Sequence, residues 1–319
     1  MLLTGHTALD FWLNLRHKFP YAASLPPAPP QKPDPSKLKN LLYKFEEFRP
    51  PFELVTEKQK PENTPNFRYH YAADFSKIPC VEISKGVLVV TPAYLLAWLA
   101  EKRPEDFYSN LLVACEFCSA FTRAGGSLDR FQPLLSRASF KKVETHVTTR
   151  RAARGIGKIA AALVENAYSP AEIALALRLS LQEKDGGLGL PKPILNSRLP
   201  LRRTNPSFGL SELRPDLLWP AQRVIFEYDG TQFHSQEEKI QQDSGKRNIL
   251  MNEGYEVMNV TKDQLFNEKK FLNLAEFLRK RCGERKAGLQ KETLSPAKLM
   301  AREVLRRVIV DYVVKGRFY

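Results

Sequence analysis

Residues 214–234 read RPDLLWPAQRVIFEYDGTQFH. Two short apolar runs, Leu217-Leu218 and Val224-Ile225-Phe226, flank a turn at Trp219-Pro220-Ala221-Gln222. Such runs on either side of a proline turn predict an antiparallel hairpin. Pairing across that turn sets Asp216 opposite Ile225. Side chains alternate with period two, so Ile225, Glu227 and Asp229 share one face, and Asp216 joins them in this register. Carboxylates crowded on one face repel each other and lose hydration unless a cation sits among them. A hard divalent ion held by oxygens answers that demand. Mg²⁺ is the first choice, with Mn²⁺ as substitute, because it keeps several waters and recruits a phosphate. The plainer reading is a hairpin with acidic edges, closed by a turn at Asp229-Gly230. Spacing alone leaves both readings open.

Outward from the hairpin, Glu237 to Glu253 predicts a helix. Tyr255 to Thr261 alternates like a strand returning beside the hairpin, which makes a βαβ unit. On that helix Asp243 and Arg247 stand four apart, an ordinary ion-pair spacing; the other possibility is that Lys246 and Arg247 face a phosphate. Upstream, Ser169-Pro170-Ala171-Glu172 opens a helix whose buried side is Ile173, Leu177 and Leu181. Ser169 and Glu172 make a capping box with proline in the first turn, which explains those residues structurally. Residues 185–215 are rich in loop formers. A strand is expected within Ile194 to Leu201, followed by the basic residues Arg202 and Arg203.

From Ser169 through Asp216, Glu227 and His234 to Asp243-x-x-Lys246-Arg247 and Gly254-Tyr255-x-Val257, the chain resembles the very-short-patch-repair (Vsr-like) branch of the PD-(D/E)xK nucleases. The likeness covers about residues 165–282. It implies a restriction-endonuclease-like α/β domain, a mixed sheet flanked by helices, that cuts DNA with Mg²⁺. The resemblance assigns the metal-binding aspartate to Asp216, the second acidic position to Glu227, the following histidine to His234 and the first-helix acid to Glu172. One departure is plain: the motif expects lysine two residues after the second carboxylate, and Asp229 stands there. Lys246, Arg247 and Arg214 are the candidates for the missing charge. In the implied mechanism Asp216 and Glu227 hold the ion, and His234 orients or deprotonates the attacking water. Asp229 completes the metal shell, fixes the His234 tautomer or shapes the turn.

The N-terminal half has its own features. Residues 4–19 read as a helix, 24–37 as a proline-rich connector, and Val81 to Val90 as a hairpin broken at Lys85-Gly86. Helices follow from Thr91-Pro92 and over Tyr108 to Phe121. Cys115 and Cys118 form a C-x-x-C, but inside an amphipathic helix without a second pair they read as buried thiols. Thr7-Ala8-Leu9 and Val89-Val90-Thr91-Pro92-Ala93 resemble the N-terminal region of AbiEi-type abortive-infection proteins. That likeness implies a phage-defence or mobile-element setting with a cognate toxin or antitoxin as partner. Between Arg137 and Lys158 seven basic residues, Arg150 and Arg151 among them, face one acid. They suit either a phosphate backbone or a solvated helix face.

A formal charge of +14 over 319 residues, with 43% apolar residues, fits a folded protein with an anionic partner, DNA first and RNA second. The four cysteines are scattered, and no apolar run approaches the ~20 residues of a membrane span. A reducing cytoplasm is the expected setting.

The expected division is an N-terminal helix (1–23), the connector (24–37), an α+β domain (38–160), the nuclease-like α/β domain (161–282) and a basic C-terminal helix (283–319). From Lys262 onward fifteen basic residues stand against seven acidic ones. The last helix, opened by Ser295-Pro296, can dock on the N-terminal half, pair with another chain or contact nucleic acid; docking with its basic face exposed is the first choice. Three functions stay open: a Mg²⁺-dependent DNA endonuclease, a catalytically silent DNA-binding module acting as an antitoxin-like regulator, and, third, a toxin that cleaves RNA.

Overall fold

The structure, a computed structural model, describes residues 2–15, 50–56, 62–123, 132–205, 210–230, 237–283 and 294–316. Mixed α/β architecture runs throughout, in two units, Met1–Leu163 and Val164–Tyr319.

The first unit contains β1 (Leu2–Leu3), α1 (Gly5–Asp10), β2 (Phe52–Thr56), β3 (Phe67–Tyr71), β4 (Cys80–Ser84), β5 (Val87–Val90), α2 (Pro92–Lys102), α3 (Phe107–Phe117), α4 (Phe140–Glu144) and α5 (Arg150–Ala162). Its sheet runs β3-β2-β1-β5-β4, with β1 parallel to β5 and antiparallel to β2. The hairpin at Lys85-Gly86 is present, and Gly86 takes the positive φ that its turn requires.

The N-terminal segment departs from the expected single helix. Two leucines form the central strand, and α1 widens into a π turn over Phe11–Leu15. The π turn lets Phe11, Trp12, Leu13 and Leu15 all enter the core, while Trp12 Nε1 donates to Val90 O at 2.8 Å. Cys115 and Cys118 are buried. The proline-rich connector lies outside the described residues.

Two members of the basic run have internal roles. The Arg137 guanidinium donates to Ala160 O and Leu163 O at the end of α5, and the Lys158 ammonium sits 3.7 Å over the Phe107 ring. Arg150 and Arg151 open α5, capped by Thr149, and stay exposed.

The second unit contains α6 (Pro170–Ser180), β6 (Ile194–Leu195), β7 (Leu199–Asn205), β8 (Leu210–Leu213), β9 (Leu217–Trp219), β10 (Val224–Asp229), α7 (Glu237–Asn252), β11 (Glu256–Thr261), α8 (Lys262–Phe266), α9 (Glu268–Arg281) and α10 (Pro296–Lys315). Its main sheet runs β11-β10-β9-β6, and β7 with β8 makes a separate ribbon. β10 is antiparallel to β9 and parallel to β11, so β10-α7-β11 is the expected βαβ unit.

Period two then sorts the side chains. Leu218, Ile225 and Val257 pack with Ile249 and Leu250 of α7 on one face. On the other, Trp219 meets Phe226 edge-on at 5.0 Å, and Phe226 meets Phe277 of α9.

α10 packs within its own unit, on α6 and the short turn at Glu183–Asp185, through Arg302, Leu305, Ile309 and Tyr312. Gly186 makes that approach possible. It sits at φ +84°, and a Cβ added there would meet Ala301 O at 2.4 Å. Gly186→Ala therefore meets both left-handed strain and a helix backbone. The expected cost of about 2 kcal/mol lowers the unit's Tm by roughly 5 °C. An unchanged melting curve would contradict this seating of α10.

Candidate carboxylate site

The hairpin places the first two acids. Observed pairs are Val224↔Trp219, Ile225↔Leu218 and Phe226↔Leu217, so the loop is Pro220–Arg223. Arg223 takes φ +54°, and its N–H donates to Pro220 O. Continued by one residue, this ladder sets Asp216 level with Glu227, not with Ile225. The register differs from the expected one by two, and a shift of two keeps every side chain on its face.

Main-chain donors hold both acids. Asp216 Oδ2 accepts the Tyr228 N–H at 2.8 Å, and the Asp216 N–H donates toward the Glu227 carboxylate. Both side chains are half-buried at the mouth of the sheet.

The third acid comes from a helix. Glu172, in the first turn of α6, is only 5% exposed. Its Oε1 accepts the Ser169 hydroxyl at 2.8 Å, and its backbone N–H donates to Ser169 Oγ at 3.2 Å. Its Oε2 accepts the Tyr168 N–H at 2.9 Å and the Asn196 amide at 2.5 Å. Ser169 caps the helix, while the Glu172 carboxylate takes the Tyr168 N–H and not the Ser169 N–H of a full capping box, and it lies close enough to Asp216 to feel its charge.

Electrostatics records the crowding. Burial, then the negative charge of Asp216, pushes the Glu172 carboxyl up to about 7, against the donors from Tyr168, Ser169 and Asn196. Burial, then Asp216, pushes Glu227 up to about 8, with Glu172 adding to the rise. Two groups oppose it: the Asp216 N–H and the positive charge of Lys246.

Lys246 and Leu250 are four apart on α7 and so share a stripe of it. Leu250 is buried beside Ile225, which leaves Lys246 one turn nearer the mouth, exposed. The charge of Lys246 therefore acts on Glu227, while Asp229 stands two residues after it.

The other sequence candidates divide. Asp229 is exposed at the end of β10, level with Thr261, and its charge acts on Tyr228. Arg247 is exposed on α7. Arg214, two residues before Asp216, donates to the Tyr168 hydroxyl at 3.3 Å and lies 3.5 Å from Glu212. Arg150 and Arg151 belong to the first unit. His234 lies outside the described residues.

Sequence reasoning missed two residues. Asn196, which follows β6, bridges Glu172 and the backbone at Asp216. Asn259, exposed on β11, is level with Glu227 on the same face. Asn196 had no motif to mark it; Asn259 was detectable only as the polar step in the alternating strand.

Among the described residues, no set of three His, Cys, Asp or Glu side chains is arranged to hold a metal ion. Glu172 already accepts three hydrogen bonds on its two oxygens. Asp216 and Glu227 remain, a donor set that fits Mg²⁺, which takes one or two carboxylates and fills its shell with water and phosphate oxygens. Among the described residues no helix is long and apolar enough to cross a membrane. Comparison with protein-family models, with curated proteins and with solved structures gives no match to this chain.

Proposed function

We propose that the second unit is a Mg²⁺- or Mn²⁺-dependent DNA endonuclease with a restriction-endonuclease-like fold. One observation carries the reading: Asp216, just before β9 and bonded to the Tyr228 N–H, lies against Glu227 of β10, with Glu172 and Lys246 near enough for their charges to act there, a crowding of carboxyl groups that a divalent cation relieves. A bound Mg²⁺ supplies Lewis-acid polarisation of a phosphodiester and lowers the pKa of a water.

The residues divide the remaining work. Asp216 and Glu227 would hold the ion, and the Tyr228 N–H fixes the Asp216 carboxylate in place. Glu172 would sit behind the pair as a carboxyl group already engaged by three donors. Lys246 brings an ammonium to the same mouth, where it attracts the phosphate and offsets charge growing in the transition state. The net charge of +14 draws DNA to the surface.

The second reading, a silent DNA-binding module, draws on the occupied oxygens of Glu172 and the Asp229 in place of lysine. Supercoiled plasmid separates the two. Metal-dependent nicking, absent in EDTA, is expected. Salt-sensitive binding without cleavage in Mg²⁺ or Mn²⁺ would leave only the second reading. An RNA substrate in parallel tests the nucleic-acid preference.

Lys246 has its own test. Lys246→Met is expected to slow cleavage by ~10²-fold, the usual loss when one transition-state charge partner goes. An unchanged rate would move that role to Arg247 or Arg214.

A further inference from the structure

Asn196 has an unusual set of properties for a residue outside any motif. It is 6% exposed, yet it takes φ +48°, a left-handed conformation that asparagine tolerates better than other residues with a side chain. Its backbone N–H donates to Pro215 O at 3.0 Å and to Asp216 O at 3.2 Å. Its side-chain Nδ2 donates to Asn166 O at 3.0 Å and to Glu172 Oε2 at 2.5 Å. β6 ends one residue before, with Leu195 level with Leu217, so Asn196 stands beside Asp216 at the sheet edge. One residue thus grips the main chain at one acid with its backbone and the carboxylate of another with its side chain.

We propose that Asn196 is a positioning residue of the carboxylate site, setting its affinity for a divalent cation by holding Glu172 against Asp216; this rests on the cation-site reading above. Glu172 belongs to a helix, and Asp216 immediately precedes a strand. Something must fix the distance between two like charges that repel each other. A neutral amide suits that place: its N–H partly offsets the Glu172 charge, and it adds no charge of its own. The left-handed backbone is what lets the N–H and the side-chain amide of a single residue reach both partners. Partners behind a metal ligand commonly alter affinity ten- to a hundred-fold when removed.

The test is a Mn²⁺ titration of the full chain at fixed pH, read by electron paramagnetic resonance of the free ion, with no DNA and no turnover. Asn196→Gly keeps the backbone N–H and accepts the left-handed φ, so it removes the amide alone. It is expected to weaken Mn²⁺ binding about ten-fold. Asn196→Ala repeats the deletion with a Cβ in place, at some backbone strain, should the glycine variant melt too low for titration.

Glu172→Gln is expected to weaken binding comparably, and the double variant to bind no more weakly than Glu172→Gln alone, because Asn196 acts through that carboxylate. Asn196→Gly binding within two-fold of the native chain, or losses that add, would overturn the proposal. In that case, a loss of binding in Asp216→Asn leaves the cation site itself standing. A native chain that binds no Mn²⁺ at all overturns both.

Discussion

Asp216→Asn is expected to cut metal-dependent DNA cleavage by ~10³-fold or more, since in the proposed site one of the two carboxylates that would hold the ion becomes a neutral amide. The choice of asparagine matters. Asp216 Oδ2 accepts the Tyr228 N–H at 2.8 Å, and alanine would leave that donor stranded beside the sheet. Asparagine keeps an acceptor there, so loss of activity with an intact melting transition belongs to the charge and not to the fold. Metal-free protein should tolerate the substitution well, because one of three repelling acids is gone. Native-like cleavage by Asp216→Asn would remove the carboxylate pair from the chemistry.

Acid is expected to stabilise the metal-free second unit, opposite to the usual behaviour of a folded protein. Glu172 is raised to about 7 and Glu227 to about 8, against 4.5 for a free glutamate. A carboxyl raised on folding binds its proton more tightly in the native state, so its penalty is full above about pH 8. That penalty is relieved as pH falls through 8 and 7, and gone near 4.5. Each pKa unit is worth ~1.4 kcal/mol, and the two groups share the same repulsions, so a combined gain on the order of 3 kcal/mol is expected.

About half of that gain falls between pH 8.5 and 6, a Tm rise of roughly 5 °C. Glu227→Gln removes most of the slope and raises Tm at pH 8.5. Millimolar Mg²⁺ does the same for the native chain, because a cation relieves the repulsion that a proton otherwise relieves. The difference between the native and Glu227→Gln profiles removes the contribution of every other titrating group. Parallel profiles would mean that the acids do not meet.

How much of this was legible in the sequence follows from which interactions are local. The hairpin, the βαβ return and the Ser169 cap rest on alternation and on short spacings, and each is present, although Glu172 takes the Tyr168 N–H and not the Ser169 N–H that a full capping box uses. The register was misjudged by two because nothing local marks Arg223, with its positive φ, as the fourth loop residue. The face survived the error, since alternation has period two. Glu172 could not be decided from spacing: a capping glutamate and a site glutamate look alike until tertiary structure brings Asp216 near.

Other features were out of reach for the same reason. Asn196 matters through contacts 20 and 30 residues away at Asp216 and Asn166. Leu2-Leu3 is a strand only because β2 and β5 flank it. The seat of α10 depends on Gly186, a glycine indistinguishable in sequence from its loop neighbours.

The most direct measurement is a crystal soaked in Mn²⁺ and examined for anomalous density at the end of β9 and β10. One peak is expected between Asp216 and Glu227, within about 2.2 Å of an oxygen from each, with water or phosphate oxygens completing the shell. An empty mouth at saturating Mn²⁺, or carboxylates turned to opposite faces of the sheet, would contradict the cation site and the nuclease built on it.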